Sequence, residues 1–168
     1  VLYNTVESDK ILKWSRQLEN DLVEDGNMRL IAVGTLKKSK GYMRLLSIIK
    51  ELCDKKYSVH LYILGTGPLQ LEMKKFIRKN KLQNTVTMLG YQNNPYKYIS
   101  KCDLFVCASY AEGFSTATTE ALIVGTPVCT VEVSGMREML GNNEYGIITD
   151  NKDEALYDAI ERLLSDPK

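Results

Sequence analysis

Short apolar runs alternate with amphipathic helical patterns along most of the chain. The runs are rich in valine, isoleucine and leucine, and they lie at 30–33, 59–64, 86–89, 104–108, 128–131 and, more weakly, 146–149. They show little alternation between apolar and polar positions, which is typical of strands covered on both faces. Helical patterns lie between and after them, at 42–55, 69–80, 96–100, 116–124, 136–140 and 152–164.

This alternation predicts an α/β fold. In the first helical window, Leu45, Ile48 and Leu52 recur at the spacing of one helix face, so this helix is expected to pack on a sheet. Repeated strand–helix units form right-handed βαβ crossovers. We therefore predict a Rossmann-like, doubly wound parallel sheet of about six strands with helices on both faces, in one domain over residues 1–168. Residues 1–27 are more polar, with a helical window at 6–18, and are interpreted as a segment that approaches the first strand.

Composition excludes some classes of function. The formal net charge is +1, so the chain lacks the basic excess that usually accompanies nucleic-acid binding. No apolar run approaches the ~20 residues that span a bilayer. The four cysteines have no C-x-x-C spacing, which indicates reduced thiols in a cytoplasmic protein. The single histidine, His60, lies inside an apolar run and is interpreted as a strand residue without a catalytic role.

Candidate binding residues follow the strands, because ligands of doubly wound folds bind at the carboxyl ends of the strands. After the first strand, Gly34 permits a close approach of the backbone, and Lys40 stands at a helix start where it can pair with phosphate. On this stretch alone, however, the residues favour a solvated loop with three exposed lysines. After the second strand, residues 65–68 read Gly-Thr-Gly-Pro, which is either a ligand cradle or a tight turn.

Two carboxylates follow the fourth strand. Glu112 lies in a loop, and Glu120 lies eight residues later on the predicted helix, whose start Ser115 or Thr116 can cap. This arrangement lets both carboxylates approach one ligand, one from the loop and one from the helix. A helix-end carboxylate beside an exposed loop glutamate is the alternative, and for either glutamate alone the two interpretations are evenly balanced.

Taken in order, five segments resemble the nucleotide-sugar-binding half of the retaining GT-B glycosyltransferases, glycosyltransferase family 4. They are VLYN with Asn4, VGTLKKSKGYMRLL, LYILGTGPLQLEM, CDLFVCASYAEGFSTATTEALIVGTPV and VSGMREML. The fourth contains the family's E-x7-E motif as Glu112 and Glu120, and the fifth stands in place of its Gly-Gly-x-x-Glu element. The resemblance covers nearly the whole chain.

The resemblance implies a nucleoside diphosphate sugar donor of the UDP or GDP type, used without a metal ion or another cofactor. Glu120 would accept hydrogen bonds from the ribose hydroxyls, and Glu112 would be the catalytic residue, on the sugar side near the anomeric carbon. Lys40 would neutralise the diphosphate together with the N–H groups at the helix start. The implied donor-binding residues are Gly34, Thr35, Lys40, Gly113, Phe114, Ser115, Thr116 and Glu120, with Gly90 and Tyr91 near the base.

Two positions depart from the family pattern. Thr35 stands where the family usually has an arginine that binds the diphosphate, and Lys37 and Lys38 are candidates to replace it. Ser134 stands where the first glycine of the Gly-Gly pair is usual, which narrows the room for the backbone.

We therefore expect the donor-binding domain of a retaining glycosyltransferase that transfers a hexose to a glycan or a lipid-linked acceptor, as in polysaccharide biosynthesis. The acceptor domain is expected to lie N-terminal to these 168 residues, so that this chain alone binds nucleotide with little or no turnover. The full-length protein is expected in the cytoplasm, either free or held at the inner face of the membrane through that domain. Two alternatives remain, a non-catalytic nucleotide-binding or regulatory module and a GT-B nucleotide-sugar epimerase. The base, sugar, acceptor and linkage stay open.

Overall fold

A parallel sheet runs through the domain. The computed structural model describes residues 7–19, 21–141 and 143–165, so Asn4 of the first family segment lies outside the described residues. In these ranges the sheet has six strands in the order β3-β2-β1-β4-β5-β6, and every neighbouring pair is parallel. The strands are β1 (Met28–Val33), β2 (Val59–Leu64), β3 (Val86–Gly90), β4 (Leu104–Cys107), β5 (Val128–Val131) and β6 (Ile147–Thr149).

Each predicted helical window contains a helix, with ends that differ by no more than three residues. The helices are α1 (Ser8–Ser15), α2 (Tyr42–Asp54), α3 (Gln70–Lys79), α4 (Tyr96–Ile99), α5 (Thr116–Ile123), α6 (Met136–Leu140) and α7 (Asp153–Ser165). A short 3-10 turn, Lys38–Lys40, precedes α2 in a stretch that the sequence predicts as a loop. The predicted α/β class and doubly wound sheet are confirmed.

Strand β1 shows why the sheet is covered on both faces. Leu30 and Ala32 point into a cluster with side chains of α2, α3 and α7, whereas Ile31 points into a second cluster with side chains of α4, α5 and α6. Because β1 lies between β2 and β4, the chain winds outward from it in both directions. The crevice at the carboxyl ends of β1 and β4 is therefore the topological switch point, where ligands of such folds bind.

The start of α2 approaches the end of β4 so closely that only glycine fits. Gly41 has a left-handed φ of +68°, and a Cβ built on it would lie 1.9 Å from the carbonyl oxygen of Ala108. This contact places the 3-10 turn after β1 beside the loop after β4, although the two are far apart in the sequence. Both loops thereby open into the same crevice.

Replacement of Gly41 by alanine is expected to lower the free energy of unfolding by about 2–5 kcal/mol, because a left-handed alanine costs about 1–2 kcal/mol and the backbone clash adds to it. Gly26→Ala is the matched control, since Gly26 has a φ of +77° with nothing within 4 Å of the added Cβ. Urea unfolding followed by circular dichroism measures both losses. Equal losses in the two variants would mean that the contact with Ala108 relaxes without cost.

Candidate functional site

Two neighbouring cavities lie at the carboxyl ends of the strands. The smaller has a volume of about 20 Å³, room for one water molecule, and its polar lining is Lys40, Tyr42, Ser109, Glu112 and Ser115. The larger has a volume of about 360 Å³, which is in the range of small-molecule sites. Its lining includes Gly34, Thr35, Gly65, Thr66, Tyr91, Gln92 and Tyr96, and Val33 lines both cavities.

An ion pair joins the two loops at the smaller cavity. Lys40 Nζ lies 2.5 Å from Glu112 Oε1, and their side chains are 25% and 8% exposed. Ser109 Oγ donates a hydrogen bond of 2.6 Å to the same carboxylate oxygen. A largely enclosed carboxylate needs such donors, because burial without them would be costly. The structure therefore brings together Lys40 and Glu112, which are 72 residues apart in the sequence.

The N-terminus of α5 opens at the same cavity. Ser115 is its N-cap, and Ser115 Oγ accepts hydrogen bonds from the Thr118 N–H at 3.3 Å and the Thr118 hydroxyl at 2.8 Å. Of the two caps that the sequence allows, the structure thus uses Ser115, and Thr116 is the first helical residue. The positive end of the α5 dipole and Lys40 together make this end of the crevice suitable for an anion.

Glu120 has a different environment. It lies half-buried on α5, and the Tyr96 hydroxyl donates a hydrogen bond of 3.3 Å to its Oε1. Burial raises the pKa of the Glu120 carboxyl above its ordinary value, and the bond from Tyr96 offsets part of that rise. Since Tyr96 also lines the larger cavity, Glu120 is linked to that cavity and not to the Lys40–Glu112 pair.

The other predicted residues lie around these two centres. Tyr91 is exposed at the larger cavity, and the Gly90 carbonyl accepts a hydrogen bond of 2.7 Å from the Gly65 N–H. A Cβ built on Gly135 would lie 3.6 Å from the Gly113 carbonyl oxygen and 3.7 Å from the Phe114 ring, so the loop after β5 touches the loop after β4.

Thr35 is exposed at the larger cavity. Lys37 and Lys38 are exposed and are not among the described residues that line either cavity, so their positions do not favour a replacement of the missing arginine.

The sequence reasoning missed Ser109 and Tyr96, the hydrogen-bond donors to the two glutamates. Ser109 stands three residues before Glu112 in the same loop, and this local spacing of a hydroxyl and a carboxylate could have revealed it. The contact of Tyr96 with Glu120 spans 24 residues and depends on how α4 packs, so no local signal predicts it. His60 is a buried strand residue with a hydrogen bond of 2.8 Å to Thr87, as the sequence predicts.

Two features are absent from the described part of the chain. Residues 7–19, 21–141 and 143–165 contain no group of three or more His, Cys, Asp or Glu side chains that could hold a metal ion. None of the described helices has both the length and the apolar character needed to cross a bilayer.

Solved structures share this architecture. The Anabaena protein HepE in complex with UDP matches the chain with a TM-score of 0.75 and 22% identity, over 84% of this chain and 40% of that one. WaaG, a glycosyltransferase involved in lipopolysaccharide biosynthesis, matches with a TM-score of 0.76 and 18% identity, over 98% of this chain and 44% of that one. At these identities the likeness shows the fold, and the predicted half of a GT-B fold is confirmed.

Relatives by sequence are glycosyltransferases. One is the Campylobacter jejuni N-acetylgalactosamine-N,N'-diacetylbacillosaminyl-diphospho-undecaprenol 4-alpha-N-acetylgalactosaminyltransferase, which is 34% identical over 170 residues, covering 100% of this chain and 45% of the relative. The chain thus spans less than half the length of that enzyme. Residues 16–168 match the family model described as glycosyl transferases group 1. The chain therefore belongs to the glycosyl transferases group 1 family.

Proposed function

We propose that this chain is the donor-binding domain of a retaining glycosyltransferase that transfers a hexose from a nucleoside diphosphate sugar. The observation that carries the proposal is the Lys40–Glu112 pair at the N-terminus of α5, beside a cavity large enough for a nucleoside. A cation and a helix N-terminus suit the diphosphate, and a carboxylate next to them suits the sugar. The larger cavity would take the base, near Gly90 and Tyr91.

In this proposal the diphosphate, the ribose and the sugar are bound by different residues. Lys40 and the N–H groups of Ser115 and Thr116 hold the diphosphate and stabilise the charge that develops on it as the sugar leaves. Glu120 accepts hydrogen bonds from the ribose hydroxyls. Glu112 holds sugar hydroxyls and stabilises positive charge near the anomeric carbon, and it is not assigned as a covalent nucleophile. We propose that the lysine and the helix N-terminus balance the diphosphate charge without a metal ion.

The comparisons support a choice of donor and acceptor within this proposal. HepE is similar in fold and is in complex with UDP, so UDP is the first nucleotide to test. The Campylobacter relative is named for transfer onto a diphospho-undecaprenol-linked sugar, so a lipid-linked glycan is the proposed acceptor. Because the chain spans less than half of that relative, we propose that the acceptor domain lies outside these 168 residues.

One observation favours the alternative of a non-catalytic nucleotide-binding module. Thr35 lines the larger cavity where the resemblance implies an arginine, and Lys37 and Lys38 are not among the described residues that line it. The two functions differ in the full-length protein, where only the transferase converts a nucleotide sugar into a glycosylated acceptor. Analysis of the anomeric configuration of that product tests retention.

Isothermal titration of the 168-residue chain with UDP, GDP and ADP tests the donor site. Glu120→Ala is expected to weaken binding of UDP and of uridine alike. Lys40→Met should weaken the binding of UDP about tenfold or more, because a charge-assisted hydrogen bond contributes about 1.5–3 kcal/mol. The binding of uridine, which has no diphosphate, should be weakened less. Lys38→Met is the control and should bind as the parent does. If none of the three nucleotides binds at millimolar concentration while circular dichroism shows an intact fold, the donor site is wrongly assigned.

Glu112→Gln is expected to bind UDP more tightly than the parent chain, by severalfold. The carboxylate occupies Lys40 and repels the diphosphate, so its neutral amide frees the lysine and removes a like charge. Turnover by the full-length enzyme should fall in the same variant. Glu132→Gln serves as the control, because Glu132 forms an exposed pair with Arg137 and is not among the described residues that line either cavity. Weaker UDP binding by Glu112→Gln would contradict the proposed competition.

The free energy of unfolding of Glu120→Gln, relative to that of the parent, is expected to increase as the pH rises. The folded pKa of Glu120 is raised, so the folded state binds more protons than the unfolded state between the two pKa values, and stability falls as pH rises through that window. Glutamine has no such titration. Urea unfolding at about pH 4 and about pH 7.5 compares the variant with the parent and with Glu72→Gln on the exposed face of α3. A stability difference that does not grow with pH would contradict this assignment.

A further inference from the structure

A buried arginine lies beneath the loop that carries Glu112. Arg44 belongs to the first turn of α2, and its side chain is only 2% exposed. Its Nη1 donates to the Ala108 carbonyl at 3.3 Å and to Asn151 Oδ1 at 2.8 Å. Its Nε lies 2.8 Å from Asp153 Oδ1, and the Tyr110 ring centroid lies 3.9 Å from its guanidinium carbon. The guanidinium thus contacts both the strand end and the loop that follows it.

Asn151 extends the same network to the next carbonyls of the loop. Its Nδ2 donates to the Ser109 carbonyl at 3.3 Å and to the Tyr110 carbonyl at 3.2 Å. Three consecutive carbonyls, from Ala108 to Tyr110, therefore accept from Arg44 or Asn151. On the other side, the Tyr110 N–H donates to the Ser39 carbonyl at 2.8 Å, inside the turn that carries Lys40.

This network is connected to the Glu112 carboxylate through Ser109. Ser109 Oγ donates to Glu112 Oε1, so a displacement of the Ser109 backbone would move the donor that holds the carboxylate. Burial of a guanidinium is costly, and an apolar side chain of similar volume often serves stability equally well. The planar fork of arginine, in contrast, fixes the positions of several acceptors at once. These properties favour a role for Arg44 in fixing the geometry of the loop over a role in stability.

We propose that Arg44 and Asn151 are positioning residues that hold residues 108–110 and thereby set Glu112 opposite Lys40. Neither side chain is among the described residues that line the two cavities, so they act through the loop and not on the donor. The inference that Glu112 then faces the sugar rests on the proposed function. The inference that Arg44 and Asn151 hold the loop is independent of that function.

Hydrogen exchange of the 168-residue chain tests the proposal without a ligand. In Arg44→Met and Asn151→Ala, the amides of residues 109–115 are expected to exchange about tenfold faster or more, while β2 keeps its protection. Asn151→Ala leaves Arg44 in place, so it decides the matter even if Arg44→Met does not fold. Lys55→Met is the control, since Lys55 follows the other end of α2 and contacts Glu161 and the Tyr157 ring of α7 with a half-exposed side chain. Unchanged exchange in the loop, or an equal rise in every strand, overturns the proposal.

A comparison of UDP with UDP-sugars tests the link to Glu112. UDP-glucose, UDP-N-acetylglucosamine and UDP-N-acetylgalactosamine are titrated, and the tightest is used. The ratio of UDP-sugar affinity to UDP affinity is expected to fall in Arg44→Met and Asn151→Ala toward its value in Glu112→Gln, and to stay at the parent value in Lys55→Met. A parent that binds UDP with an unchanged ratio in both variants contradicts the inference alone. A parent that binds no nucleotide contradicts the proposed function, and the exchange experiment still decides whether Arg44 and Asn151 hold the loop.

Discussion

The contact between Gly41 and the Ala108 carbonyl is the constraint on which the crevice depends. It lets the start of α2 rest on the end of β4, and this approach brings Lys40 within 2.5 Å of Glu112. Arg44 lies three residues later, in the first turn of α2, so the same approach brings its guanidinium to the Ala108 carbonyl. One steric condition thus places Lys40, Glu112 and the Arg44 guanidinium. A Cβ at position 41 would overlap the Ala108 carbonyl, so a larger residue there requires α2 or the end of β4 to shift.

The two glutamates of the E-x7-E motif are held in opposite ways. Glu112 has a cation and a hydroxyl on one oxygen, so its charge is compensated within the protein. Within the described residues, the donor to Glu120 is the Tyr96 hydroxyl, and burial raises the pKa of the Glu120 carboxyl. A ligand that offers two hydroxyl donors relieves this cost at Glu120, because each donor favours the charged carboxylate. A ligand that offers negative charge, in contrast, must compete at Lys40. The difference in environment fits the assignment of ribose to one end and diphosphate with sugar to the other.

The sequence predicted the sheet because its strands are short, apolar and covered on both faces, and because this pattern has few alternatives. It predicted that Lys40 and Glu112 lie in one crevice, since each follows a strand and the carboxyl ends of parallel strands share one edge. It did not predict Arg44 as a buried residue. On the α2 pattern an arginine beside leucines is indistinguishable from one on a solvated flank, and its partners Ala108 and Asn151 are 64 and 107 residues away. Contacts of this kind depend on how loops pack after the sheet has formed.

The charge balance of the crevice limits how a nucleotide sugar can bind there. Lys40 supplies one positive charge and the α5 N-terminus roughly half a charge, and Glu112 already compensates most of this. In the proposed function, the diphosphate of the donor must therefore take over the hydrogen bonds that Lys40 gives to Glu112. The displaced carboxylate then needs other donors, and the hydroxyls of a sugar attached to that diphosphate are the nearest that the ligand offers. Thr35 makes this exchange more stringent, because no arginine stands there to share the phosphate charge. The ion pair that balances most of the positive charge at this end of the crevice would thus also direct the carboxylate to the sugar once the donor arrives.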